Sequence, residues 1–255
     1  MPRSSRLLLV VLACTAAPSF AALHAVQGEA RDPASGNLLY REHHLVRSAA
    51  AGPLERLVVY RCPDGRAFAR KRVDYRQSAY APDFELQDAR RGYREGLRRQ
   101  GGQLLVWSDG APRPMKPPSG AELVADAGFD EFLRAGWSQL EAGEARPMAF
   151  VVPTLGRSVA FDIVPLGSDT IGGQLVSRFR LKVDGMLGLV APTVEVAYSA
   201  SDRGLRRFTG LTNQRDDRGR PLRARIDFAH PQRPAPDSSW SNALAVPLTA
   251  CRLGR

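Results

Sequence analysis

Lysine is scarce in this sequence: of 36 basic residues only Lys71, Lys116 and Lys182 are lysines. The rest are arginines spread along the whole length, so the net charge of +10 is not concentrated in a basic arm. Arginine in place of lysine is the bias that GC-rich coding produces. The charge therefore reads mostly as background, which leaves a weak affinity for anionic lipid or lipopolysaccharide open. Aromatic residues make up 7% of the chain. They are too few and too dispersed for a base-stacking surface, and no nucleic-acid partner is expected. Tyr60 and Tyr75 form the one pair expected to neighbour each other, across the Asp64-Gly65 turn. Catalytic signatures are missing as well. There is no Gly-x-Ser-x-Gly elbow, no phosphate-cradling glycine loop with its lysine, and no dinucleotide fingerprint. No cofactor and no enzymatic activity are expected.

Long apolar runs are also lacking. The longest, Leu7 to Ala17, is 11 residues, where a membrane span needs roughly 20. Arg3 and Arg6 precede it and Ser19-Phe20-Ala21 follows, with small residues at both recognition positions. That is a three-part secretory signal with cleavage after Ala21. Val11-Leu12-Ala13-Cys14 is a poor lipoprotein box, because leucine occupies its second position. The expected mature chain, residues 22–255, keeps a net charge of +8 once the two signal arginines are gone. It is read as a monomeric periplasmic or secreted protein without a transmembrane segment. Of three cysteines, two remain after cleavage. An even pair in an oxidising compartment favours a Cys62–Cys251 disulfide.

What remains is short strands separated by turn chemistry. Asp32 to Asn37 is a turn cluster and Pro63-Asp64-Gly65 a tight turn. Strands are expected at 38–46, 54–62, 67–75, 84–89, 93–98 and 103–107. After the Pro-rich 112–120 stretch the period changes. Phe129, Phe132, Leu133, Trp137 and Leu140 share one helical face, which predicts a helix over about 128–142, capped by Asp126 or Gly128 and ended by Gly143. Strands resume at 147–153, 157–165, 174–183, 193–199, 205–211 and 222–228, with one helical turn at 185–190 and coil from 231 to 241. In 174–183, Leu175, Ser177, Phe179, Leu181 and Val183 alternate onto one face, the pattern of a sheet wet on its other side. The fold class is mainly β (α+β). It is a single domain with a large curved antiparallel sheet or half-barrel over one inserted amphipathic helix, whose Phe129, Phe132 and Trp137 plug the concave side.

Pro82-Asp83-Phe84-Glu85-Leu86-Gln87-Asp88, Gly92-Tyr93-Arg94-Glu95-Gly96, Phe129-Asp130-Glu131-Phe132 with Trp137, and Phe150-Val151-Val152-Pro153 together resemble an uncharacterised family of proteobacterial exported proteins. The resemblance runs through most of the mature chain and implies no activity. In architecture alone, the layout is similar to the half-barrels of the lipoprotein-localisation carriers.

Candidate chemistry is sparse. Glu42-His43-His44 is the one histidine cluster. Strand alternation lets at most two of the three share a metal, so no metal site is expected. Asp83, Glu85, Asp88 and Glu95 lie among Arg90, Arg91, Arg94, Arg98 and Arg99, and read as ion pairs on a wet sheet face. A functional patch belongs there if anywhere, because charge is densest. The expected function is a non-enzymatic periplasmic protein that binds a lipid-like or amphipathic ligand in its concavity, through Tyr93, Arg94, Glu95, Phe129, Phe132 and Trp137. Such a protein needs an apolar cavity that the helix does not fill. The alternatives are an envelope interaction or assembly factor with a filled core, and, further off, a hydrolase built on Glu42, His44, Asp88 and Glu95.

Overall fold

The computed structural model describes residues 21–183 and 193–253. The expected signal, Cys14 and the expected turn at 185–190 lie outside them. The first strands run in sequence order as an antiparallel meander: β1 (Ala22–Arg31), β2 (Leu38–Ala49), β3 (Gly52–Arg61), β4 (Ala67–Asp74), β5 (Asp83–Asp88), β6 (Tyr93–Gln100), β7 (Gln103–Ser108) and β8 (Arg113–Met115). After the short β9 (Leu123–Val124) and the helical segment comes a second meander: β10 (Arg146–Val152), β11 (Arg157–Ile171), β12 (Gln174–Val183), β13 (Val194–Ser199), β14 (Leu205–Arg215) and β15 (Pro221–Asp227). β15 pairs antiparallel with β1, which makes the two meanders one sheet. β9 is parallel to β10 and forms one edge, while β8 forms the other. The sheet curls until these edges approach. Val106 and Met115 from the β8 side share an apolar cluster with Val151 of β10. The result is the large curved sheet with an internal helix that the periodicities imply.

The expected strand centres coincide with those observed, and the tight turn over Asp64 does occur, with its carboxylate accepting Arg66 N–H at 3.0 Å. The register that follows pairs Tyr60 with Ala69, so Tyr60 and Tyr75 are not neighbours and belong to separate clusters. On β12, Phe179 and Leu181 do join the interior. Leu175 stands 60% exposed, where the β11–β12 hairpin runs past the residues that pair with β10.

The helix at 128–142 is two pieces, α1 (Gly128–Ala135) and α2 (Trp137–Glu141), broken at Gly136. A Cβ there would fall 2.0 Å from Arg146 Nη1, and that guanidinium lies 3.9 Å over the Phe132 ring. The apolar face survives the break. Phe132, Leu133, Trp137 and Leu140 pack on Met148, Ile163, Phe179, Val196 and Tyr198. Neither Asp126 nor Gly128 caps α1. Ala127 holds that position without a side-chain hydrogen bond, because the Asp126 carboxylate is engaged by Lys71.

Beyond β15 the chain crosses to the outer face. β16 (Arg233–Pro234) pairs with β1. The stretch read as coil then turns into α3 (Ser238–Ala245), whose Trp240, Ala243 and Leu244 cover outward-facing Leu23, Leu45 and Leu57. The strap ends in the Cys62–Cys251 disulfide.

Candidate functional site

Cross-strand register aligns residues of like orientation into rows, and two adjacent inner rows bring buried charge toward the helical segment. One is His44–Val58–Lys71–Leu86–Glu95–Ser108, across β2 to β7. The next, two residues along each strand, is Val46–Arg56–Val73–Phe84–Leu97–Val106. A lone cation on an inner face is costly unless an anion meets it, and the helical segment supplies two. Asp126 reaches Lys71 Nζ at 2.8 Å, and Asp130 accepts from Arg56 Nη2 at 3.0 Å. Tyr198 Oη donates to Asp130 at 2.6 Å. Burial pushes the Asp130 carboxyl up, but the Arg56 and Arg134 guanidiniums, together with the hydrogen bonds from Tyr198 and Arg56, outweigh it and hold the group below the usual range.

Glu95 has no such cation against it. Burial pushes its carboxyl up to about 7. The hydrogen bond from Tyr93 opposes that, Asp126 adds to it, and Lys71 and Arg215 pull the other way. Tyr93 Oη donates to Glu95 at 2.6 Å, lies 2.9 Å from Ser108 Oγ, and receives a 3.2 Å bond from Arg215 Nη2. The Arg215 guanidinium lies 4.4 Å over the Tyr93 ring. The remaining acids of this region also pair with arginines: Asp83 with Arg99 at 3.1 Å and Glu85 with Arg94, as the sequence suggests, whereas the Asp88–Arg90 pair at 2.5 Å is buried rather than on a wet sheet face.

The six residues expected to bind a ligand fall into separate places. Tyr93 and Glu95 point inward, while Arg94, one residue between them, points out to Glu85. Phe129, Phe132 and Trp137 are buried in the packing around the helix, with Trp137 edge-on to Phe179 at 5.6 Å. Among the described residues, no three His, Cys, Asp or Glu side chains gather as metal ligands.

A pocket of about 380 Å³ opens at one end of the curved sheet, beside α1. One part of its wall is apolar, with Val26, Val46, Leu205 and Phe228. The other part is charged and already paired. Arg56 meets Asp130, Arg134 meets Glu131 at 2.5 Å, and Arg206 meets Asp202 at 2.6 Å. His44 lies between the two parts. Its Nε2 is 2.8 Å from Glu42 and its ring is edge-on to Phe228 at 5.5 Å. Of the sequence candidates only His44 lines this pocket. Arg56, Arg134 and Arg206 were missed, because the strand and helix patterns carry no sign that α1, β2, β3 and the β13–β14 turn meet. The chemistry on offer is recognition: an apolar wall beside three guanidiniums held in place by carboxylates.

The chain matches no protein-family model and no curated protein sequence. A solved structure, a β-barrel-like protein of a domain of unknown function, DUF1849, from Brucella abortus, is similar over 86% of this chain and the whole of that one. The identity is 12% and the TM-score 0.49.

Proposed function

We propose that this chain is a non-enzymatic binding protein of the bacterial envelope, exported by its N-terminal signal. It takes a small amphipathic molecule into the pocket beside α1. The observation that carries this reading is the make-up of that pocket: about 380 Å³ with an apolar wall facing three ion-paired arginines. At about 30 Å³ for each water-sized group, it accommodates roughly a dozen such groups. A single medium-length chain with a polar head fits that volume, and a lipid with two long chains does not. The tail lies against Val26, Val46 and Phe228, and the head meets Arg134 and Arg206.

Native mass spectrometry of the periplasmically purified protein tests this, first as isolated and then with a lysophospholipid of about a dozen tail carbons. A one-to-one adduct is expected. It should vanish in Val46→Phe, which fills the pocket, while that variant keeps its melting temperature. An adduct that persists in Val46→Phe, or none with any single-chain amphiphile, overturns the reading. A second reading, an envelope assembly factor, is favoured by the overshooting β11–β12 hairpin with its exposed Leu175. It requires that Leu175→Asp abolish association with a co-purifying envelope protein.

A further inference from the structure

The outer face of the sheet opposite the β8–β9 seam carries a compact array of arginines. Register sets Arg207, Asp227, Glu29 and Arg41 side by side across β14, β15, β1 and β2. Thr209, Arg225 and Arg31 form the next row, and Arg223 faces Leu211 one step further. With neighbours ~5 Å apart across strands and ~7 Å along them, the array covers a patch ~15 Å on a side. It holds five arginines and two carboxylates, so its charge is strongly positive.

Each carboxylate is shared by two arginines. Asp227 accepts from Arg207 Nε at 2.5 Å and Arg225 Nε at 2.9 Å. Glu29 accepts from Arg31 Nη2 at 2.7 Å and Arg41 Nε at 3.3 Å. The carboxylates thus fix the guanidiniums without neutralising them. The hydrogen bond from Arg31, though opposed by burial, keeps the Glu29 carboxyl below its ordinary range. Arg207 and Arg225 are engaged only through Nε among the described residues, and both side chains are partly exposed, which leaves their paired Nη groups for the planar fork that suits a phosphate. Arg223 is exposed and makes no side-chain hydrogen bond or ion pair among the described residues.

We infer that the arginine-bearing end of the outer face of β14, β15, β1 and β2, away from the stretch that α3 covers, docks on an anionic bilayer, its guanidinium ends meeting lipid phosphates. The other outward residues around the arginines are Thr209, Leu211, Gln27 and His43, whose imidazole is pushed toward the neutral form by burial and the nearby Arg61. Among the described residues of the array the only ring is His43, which is half-buried, so the run of aromatic platforms that a single-stranded nucleic acid needs is not there. The array lies outside the sheet, and the inference does not rest on the pocket.

The test is co-sedimentation of the full mature chain with phosphatidylcholine vesicles, with and without phosphatidylglycerol. Binding is expected only with phosphatidylglycerol, and high salt should abolish it. Arg207→Gln/Arg223→Gln/Arg225→Gln should lower the partition coefficient by roughly a hundredfold. Arg113→Gln/Lys116→Gln/Arg157→Gln removes the same charge beside the seam and should stay within a few-fold of wild type. Equal losses in the two triple variants would mean that net charge alone acts, and would overturn the inference. So would binding to single-stranded DNA without binding to the vesicles. If the first triple variant melts early, Arg223→Gln alone, which breaks no side-chain hydrogen bond or ion pair among the described residues, must still weaken vesicle binding severalfold.

Discussion

Glu95 shows how much one buried residue can govern. Its carboxyl is pushed up to about 7 from an ordinary 4.5. Between those values the folded protein holds a proton that the unfolded chain releases. Stability therefore falls as pH rises from about 4.5 to about 7, and the full penalty is present above that window. It amounts to about 3 kcal/mol. Glu95→Gln keeps an acceptor for Tyr93 and removes the titration. It should match wild type near pH 4 and exceed it by up to about 3 kcal/mol near pH 8, read by urea unfolding across pH. Parallel pH profiles for the two proteins would discard the account. Nothing local marked Glu95 as different from Asp83, Glu85 or Asp88, which do find arginines. Strand alternation put it on the inner face, but only the fold decided that no guanidinium would pair with it there.

At the scale of elements, two glycines decide what periodicity could not. Gly136 lies at the break between α1 and α2, and having no Cβ it leaves room there for the Arg146 side chain. Gly96 lies in the middle of β6, where a Cβ would come 2.3 Å from both Phe84 O and the Trp107 ring. A backbone oxygen cannot move aside as a flexible side chain can. Gly96→Ala should therefore cost about 2 kcal/mol, measured by thermal or urea unfolding, and an unchanged midpoint would show that β5 yields. The helical face itself was legible, since Phe132, Leu133, Trp137 and Leu140 recur at helical spacing and all are buried. α3 was legible in principle too. Trp240, Ala243 and Leu244 have helical spacing, but the prolines and serines before them dominated the reading. β1 went unnamed because its outward-facing Leu23 and Ala25 are covered by α3, which blurs the alternation of a half-wet strand.

At the scale of the molecule, the first and last long strands of the described residues pair with each other, and the sheet's edges approach through an apolar side-chain cluster. The Cys62–Cys251 bond ties the strap back to the end of β3 across a separation of 189 residues. Constraining so long a loop in the unfolded chain stabilises by at most about 5 kcal/mol in the chain-entropy model. Cys62→Ser/Cys251→Ser should accordingly melt well below wild type, and reductant should lower the wild type toward it. Reductant without effect on wild-type melting would show that the strap is held by its packing and by bonds such as Thr249 N to Ala67 O at 2.8 Å.

The sequence by itself determined the class of this protein. Period-2 runs between turn residues made a sheet, one period-3.6 stretch made the internal helix, and Cys62 and Cys251 made a pair. These are local or pairwise properties, set by side-chain direction and turn chemistry. The strand order around the sheet, the meeting of Arg56 with Asp130, the pocket that meeting lines and the outer array of arginines were decided only by tertiary structure. Each depends on which strand becomes whose neighbour, and a strand's own residues fix its faces but not its partners.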